Sequence, residues 1–245
     1  MLTGAADLDV LLRDAPEMAT LNPDPVVLED VVVFQAAFEL PARSRTALLP
    51  PGLHPTNPPL LVLLAWKVAR SPWGPFALAQ ARVSCRSGVR PRGFVVGCVV
   101  DDAAAAGAMA SQWGLGARLG EVDLQHRYDA TELSVSCTEG FACRVVGLDP
   151  VPLTPGDVPY TVTMTLARTE RGPRLVQLEP EYELREVERL RPRLDRLAGL
   201  PATPGTHLHP VAATIGDGSV TIPRLRFVCR PDALAFDGTE AVVYP

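Results

Sequence analysis

The segment SQWGLGARLGEV, residues 111–122, sets a single arginine, Arg118, among Gly114, Gly116 and Gly120, behind Trp113 and three residues before Glu121. A guanidinium in such a small-residue turn has two uses. It can project into a cavity and hold a carboxylate, an enolate or a polarised carbonyl oxygen, because its charge is permanent and its donors fan out in a plane. Alternatively it pairs with a nearby acid such as Glu121 and ties one element to the next. Other reactive side chains are sparse. Lys67 is the only lysine in the chain, so any imine mechanism has one candidate amine besides the N-terminus. Cys85, Cys98, Cys137, Cys143 and Cys229 are odd in number and widely spaced, with no CxxC pair, which reads as reduced thiols in a core. His207 and His209 alternate as on one strand face, yet no third ligand clusters with them. No metal and no cofactor are expected.

These residues must be positioned mainly by strands. Residues 6–13 form a short amphipathic helix, and a proline-punctuated linker to about residue 25 leads into PVVLEDVVVFQAAFEL, whose β-branched runs are extended. RSRTALL reads as a short helix stopped by Pro50 and Pro51. Strands follow at about 60–70, 75–86 and 93–100, separated by SPWGP and SGVRPRG. DDAAAAGAMASQW is a helix with an aspartate cap and alanine-rich body. Beyond Gly120 come EVDLQHRY, TELSVSC, FACRVVG, YTVTMTLAR, RLVQLEP, HPVAATI and RLRFVC, all strand-like. EYELREVERLRPRL is ambiguous: its charge density suits a helix, and Pro192 would break one. The pattern is a β-rich α+β chain, a large barrel or wrapped sandwich with one central helix, in a single domain over 1–245.

Composition narrows the function. A net charge of −5 with no basic run leaves nothing to neutralise a nucleic-acid backbone. The longest apolar stretches, LLVLLAW and FVVGCVV, are far shorter than the roughly 20 residues of a spanning helix, and the acidic N-terminus is unlike a signal peptide. The expectation is a cytoplasmic protein with neither a membrane nor a nucleic-acid partner.

The order LLPPGLHPTNPPL, SPWGPF, GFVVGCVVDD and a small-residue helix running into QWGLGARLGEV resembles the acetoacetate decarboxylase family and its wider superfamily, and the likeness extends weakly through PYTVTMTLARTERGPRLVQLEP. The resemblance implies a double-sheet, β-barrel-like fold enclosing a central cavity, closed by a few helices, in a homo-oligomer. In that family two adjacent lysines precede the Leu-Gly matched here by Leu119 and Gly120. One forms an imine with a β-keto acid, and the other lowers its partner's pKa by like-charge repulsion. Those positions fall on Ala117 and Arg118, so the nucleophile is absent. Two cavity glutamates of the family correspond to Leu64 and Leu78, and a substrate-binding arginine to Val31.

On LLVLLAWKVAR, alternation puts Leu64, Trp66 and Val68 on one face and Lys67 on the other, so Lys67 faces away from a cavity that Leu64 lines. The expected substrate-binding residues are Val31, Leu64, Trp66, Leu78, Gln80, Cys98, Trp113 and Ala117, with Arg118 and Glu121 as catalytic groups and Arg82, Gln112 and His126 as further polar candidates. An apolar cavity with one cation and no amine suits conformational control of a flexible substrate. The expected activity is a cyclase or lyase/dehydratase of specialised metabolism, acting on a hydrophobic, polyketide-like substrate. The rival readings are a hydrophobic-metabolite binding protein without catalysis and, less favoured, a β-keto acid decarboxylase. A binder needs only shape and an anchor, whereas a lyase also needs an acid or base beside the ligand.

Overall fold

The computed structural model describes residues 2–41, 44–200 and 208–244. In chain order its elements are α1 (Leu8–Arg13), β1 (Val26–Glu39), α2 (Ser44–Ala47), β2 (His54–Pro55), β3 (Leu60–Arg70), β4 (Phe76–Ser87), β5 (Arg90–Val100), α3 (Ala103–Trp113), β6 (Arg118–Leu119), β7 (Glu121–His126), β8 (Ala130–Ser136), β9 (Ala142–Leu153), β10 (Val162–Thr169), β11 (Gly172–Leu178), β12 (Glu181–Ala198), β13 (His209–Ile222), β14 (Phe227–Cys229), α4 (Ala235–Gly238) and β15 (Thr239–Ala241). Among the described residues all the strands join one sheet, in the order β15-β14-β11-β10-β5-β4-β3-β1-β13-β12-β9-β8-β7, with β2 on β4 and β6 on β5. Pairing is antiparallel except for β10 and β6 against β5, where the chain crosses over through longer connections.

The central strands β1, β3, β4 and β5 are apolar on both faces, which is why LLVLLAW is a continuous run rather than an alternating one. One face, carrying Leu61, Leu63, Ala65, Ala79 and Ala81, is covered by Val122, Leu124, Leu133, Val135 and Val145 from β7, β8 and β9. The sheet therefore curls back on itself, and β7 lies against β3, β4 and β5. The opposite face, carrying Val31, Val33, Leu64, Trp66, Leu78, Cys98 and Val100, packs on Met109 and Trp113 of α3 and on Val176 and Val220.

Helix α3 has the expected caps. Asp102 accepts from the Ala105 amide at 2.8 Å, and Gly114 ends the helix in the left-handed region, φ 65°, donating to the Met109 and Ala110 carbonyls. A side chain at Gly114 would strike Ala167 and Met18, so the tight exit from the helix needs glycine for both backbone and space.

The ambiguous segment 181–194 is extended throughout, as part of β12. Its charges alternate with Tyr182, Leu184, Val187 and Leu190, and the outward residues find partners across the sheet surface: Arg185 with Asp217 at 2.6 Å and Arg191 with Asp149 at 2.8 Å. Pro192 is accommodated opposite Gly147, between two register shifts that kink the strand. No helix among the described residues is long and apolar enough to cross a membrane.

Candidate functional site

The expected binding residues gather on one side of the central sheet. Val31, Leu64, Trp66, Leu78, Cys98 and Trp113 are buried in the apolar cluster beneath α3, and Ala117 packs against it half-buried. Gln80, 2% exposed, pairs in register with Leu64 and Cys98 on that same face. Burial pushes the Cys98 thiol far above its usual range, so it is an apolar wall rather than a thiolate.

Arg118 and Glu121 are not there. Arg118 is 45% exposed and binds Asp14 at 2.8 Å, with Glu139 at 3.9 Å. Glu121 is exposed and accepts from the Ser136 hydroxyl at 3.2 Å. The reason is local. Ala117 takes the inward position as the chain enters β6, and the next residue of an extended segment points the other way. The expected projection of Arg118 into the cavity is thus corrected to an ion pair on the surface, and its partner is Asp14 from the N-terminal segment rather than Glu121. Exposed pairs of this kind contribute about 0–1 kcal/mol. Arg118→Ala should accordingly lower stability by less than about 1 kcal/mol in denaturant titration and leave ligand binding intact; a loss of binding would return Arg118 to the site.

Lys67 also lies outside. It is exposed on the face opposite Trp66 and Val68, with Nζ donating to the Leu124 carbonyl at 3.3 Å. His126 sits at the end of β7 and bonds Thr131 at 2.8 Å, and Gln112 is half-buried on α3. His207 falls outside the described residues, while His209 begins β13. Among the described residues no three His, Cys, Asp or Glu side chains are grouped as metal ligands.

Arg82, on β4 two residues beyond Gln80, is a cation inside the fold. It is fully buried, 0% exposed. Its guanidinium donates to the Thr163 hydroxyl at 2.9 Å, the Thr161 carbonyl at 3.2 Å and, at the limit of a hydrogen bond, Gln35 Oε1 at 3.5 Å. Gln35 is itself held by Nε2 on the Pro159 carbonyl. Gly93 makes the room, since a Cβ there would stand 3.3 Å from Cβ of Arg82. Burial pulls the guanidinium below its ordinary pKa, and Tyr182 and Tyr160 act in the opposite sense. Even so, an arginine stays charged.

Those two tyrosines stack with ring centroids 4.0 Å apart, and Trp66 meets Tyr182 edge-on at 6.2 Å. Burial raises both phenols, Tyr182 to about 12 and Tyr160 further still, so both are neutral donors at physiological pH. The hydroxyl of Tyr160 lies beside Thr214 and that of Tyr182 beside Trp66, but neither makes a hydrogen bond of full geometry. Trp66 Nε1, Gln80 Oε1, Arg82 Nε and Thr165 Oγ1 are likewise buried without a hydrogen-bond partner. Buried polar atoms are nearly always satisfied, so this group stands out from the apolar packing around it. The tyrosine pair also lines an open-mouthed cleft of about 430 Å³ with Pro155, Val158, Pro180 and Leu184.

Of this group, sequence reasoning named Trp66, Gln80 and Arg82 and missed Gln35, Tyr160, Thr163 and Tyr182. The signal for Tyr182 was the alternation of EYELREV, obscured by treating that segment as a possible helix. Gln35 was readable as the polar member of an otherwise apolar alternation Val31, Val33, Gln35 on β1.

The sequence matches no protein-family model and no curated protein. The fold does have solved counterparts. Acetoacetate decarboxylase from Legionella pneumophila superposes with a TM-score of 0.71 at 15% identity, covering 90% of this chain and 94% of that one. The enduracididine biosynthesis enzyme MppR, complexed with the condensation product of pyruvate and imidazole 4-carboxaldehyde, gives 0.64 at 15% identity, over 85% and 91% of the two chains. An acetoacetate decarboxylase-like enzyme from Sphingomonas wittichii gives 0.62 at 15% identity, over 84% and 94%. The chain has the acetoacetate decarboxylase fold, as its sequence resemblance implied.

Proposed function

We propose that this protein is a non-decarboxylating enzyme, a cyclase or lyase/dehydratase of specialised metabolism, that folds a hydrophobic, polyketide-like substrate in the interior beneath α3 without forming an imine. The observation that carries this reading is the set of buried polar groups of Trp66, Gln80, Tyr160 and Tyr182 set against an apolar cluster, with the two tyrosines also lining a surface cleft. A decarboxylase of the imine type needs an amine there. The sequence resemblance assigns the family's nucleophile position to Ala117, which packs half-buried on the apolar cluster, and Lys67 is on the outer face.

The chemistry that fits is intramolecular ring closure of a polycarbonyl compound. The apolar walls at Val31, Leu64, Leu78 and Cys98 fold the chain, which supplies up to about 7–11 kcal/mol of the barrier when entropy dominates it. An enol carbon of the substrate attacks a second carbonyl of the same molecule, the new carbon–carbon bond forms, and the enol proton passes to the nascent alkoxide by way of a tyrosine hydroxyl. Neutral phenols suit this role because they both donate and accept. MppR's complex with a condensation product supports carbonyl condensation within this fold.

Placement of Arg118 and Glu121 on the surface favours a second reading, a binding protein that holds such a metabolite without turnover. One experiment separates the readings. Linear 1,3-polycarbonyl compounds are incubated with wild type and with a Tyr160→Phe/Tyr182→Phe double variant, and products are followed by mass spectrometry. The expected result is an isomeric product or one lighter by water, formed roughly 10²-fold more slowly by the double variant. Binding without any product supports the carrier reading. A borohydride-trapped keto-acid adduct on Lys67 overturns the non-imine mechanism.

A further inference from the structure

Arg82 carries its charge into the interior without an opposite charge to meet it. Its three acceptors, Thr163, the Thr161 carbonyl and Gln35, are all neutral, the last is distant at 3.5 Å, and Nε has no partner. Among the described residues no ion pair includes Arg82, and the ionisable groups that act on it are Tyr160 and Tyr182, both held neutral by burial. The residues best placed to carry an acid are amides: Gln35 across the sheet and Gln80 two positions away on the same face. A buried cation is costly unless it is paired, so a chain that carries Arg82 inside and supplies only amides leaves the counter-charge to come from outside.

We infer that Arg82 is the anchor of an anion site, and that the ligand of this interior is a monoanion presenting a planar pair of oxygens, a carboxylate or the enolate of a 1,3-dicarbonyl. The inference rests on the interior being the ligand site and adds the charge of what enters it. Geometry limits the rest of the molecule. A flat, apolar body is required, because Trp66 and Tyr182 meet edge to face beside the cation and the surrounding walls are Leu64 and Leu78. Gln80 Oε1, an acceptor among donors, fits a hydroxyl on that body. A doubly charged group such as a phosphate is not matched, since one guanidinium leaves the second charge buried and unpaired.

The test uses benzoate as the anionic probe and benzamide as its neutral counterpart, titrated calorimetrically into wild type, Arg82→Met and Gln35→Glu. The last variant supplies an internal carboxylate within reach of the guanidinium while keeping the side-chain shape. The expected result is that wild type binds benzoate about tenfold or more tightly than benzamide, as charged hydrogen bonds imply, and that both variants lose this preference while still binding benzamide. Equal affinity for the two probes, or a preference that survives in both variants, overturns the anion inference and leaves the interior as a neutral-ligand site. Binding of neither probe by wild type overturns the inference and the interior ligand site together.

Discussion

Arg82→Met is expected to make the unliganded protein more stable. Arginine and methionine both fill the channel between β4, β1 and β10 with a straight aliphatic stem, so little cavity results. What is removed is a guanidinium whose burial is opposed only by neutral acceptors. Replacing buried charge with apolar groups of similar size commonly stabilises by about 1–4 kcal/mol. The loss of a donor for the Thr163 hydroxyl and the Thr161 carbonyl offsets part of this, at about 1 kcal/mol per bond. A gain on the order of 2 kcal/mol follows, which for a chain of this size raises Tm by roughly 4–8 °C. Differential scanning calorimetry without added ligand reads it directly. A Tm that falls by several degrees would mean that Arg82 is a structural bolt joining three strands, and the case for a ligand-completed charge would fail with it. The same substitution separates stability from function, because the variant that melts later is the one that should no longer select an anion.

The largest loss of stability is expected from replacing one hydrogen by a methyl group at Gly218. On β13 this residue pairs with Val31 on one side and Leu184 on the other, each beside a register shift. A Cβ there would lie 2.1 Å from the Glu183 carbonyl oxygen and 2.8 Å from the Leu184 Cα, both backbone atoms with no rotamer to yield. Gly218→Ala therefore has to push β12 away from β13. Overpacking of this kind costs about 1–3 kcal/mol and more when backbone must move, and the upper end applies here. The displacement also reaches the site, because the strand that shifts carries Tyr182. Urea denaturation should show a midpoint lowered by an amount equivalent to about 3 kcal/mol. Near-ultraviolet circular dichroism, which reports Tyr160, Tyr182 and Trp66 packing, should change at temperatures where the variant is still folded. An unchanged spectrum and a stability within about 0.5 kcal/mol of wild type would show that the bulge absorbs the added group.

Much of the fold was legible because its signals are local. The Asp102 cap, the alanine-rich body and the glycine exit of α3 act within one helix, so sequence and structure agree there. Strands β3, β4 and β5 announce themselves by apolar runs bounded by glycine and proline. Strand β12 was not legible, because Arg185 and Arg191 find their partners, Asp217 and Asp149, on neighbouring strands remote in sequence. The alternation on β3 was enough to place Lys67 opposite Leu64, since a period of two needs no tertiary information.

The candidate site divides along the same line. Its apolar wall could be listed from strand alternation and from the family resemblance, because side chains of one strand face share a direction regardless of what lies beyond. Its charge could not. Arg118 drew attention as a cation in an unusual turn, and the turn is as expected, but Asp14, 104 residues earlier, reaches it and holds it on the surface. Arg82 stood in a strand among other polar residues with nothing local to distinguish it. Only closure of the sheet brought Gln35, Tyr160 with Thr163, and Tyr182 from three separate parts of the chain around it. By itself the sequence determined most of the strands, the central helix and the likeness to acetoacetate decarboxylase, because periodicity, capping and residue identity are properties of the chain. The tertiary structure decided that Arg82 is inside and Arg118 outside, because burial and electrostatic partnership belong to pairs of residues that meet only when the sheet curls.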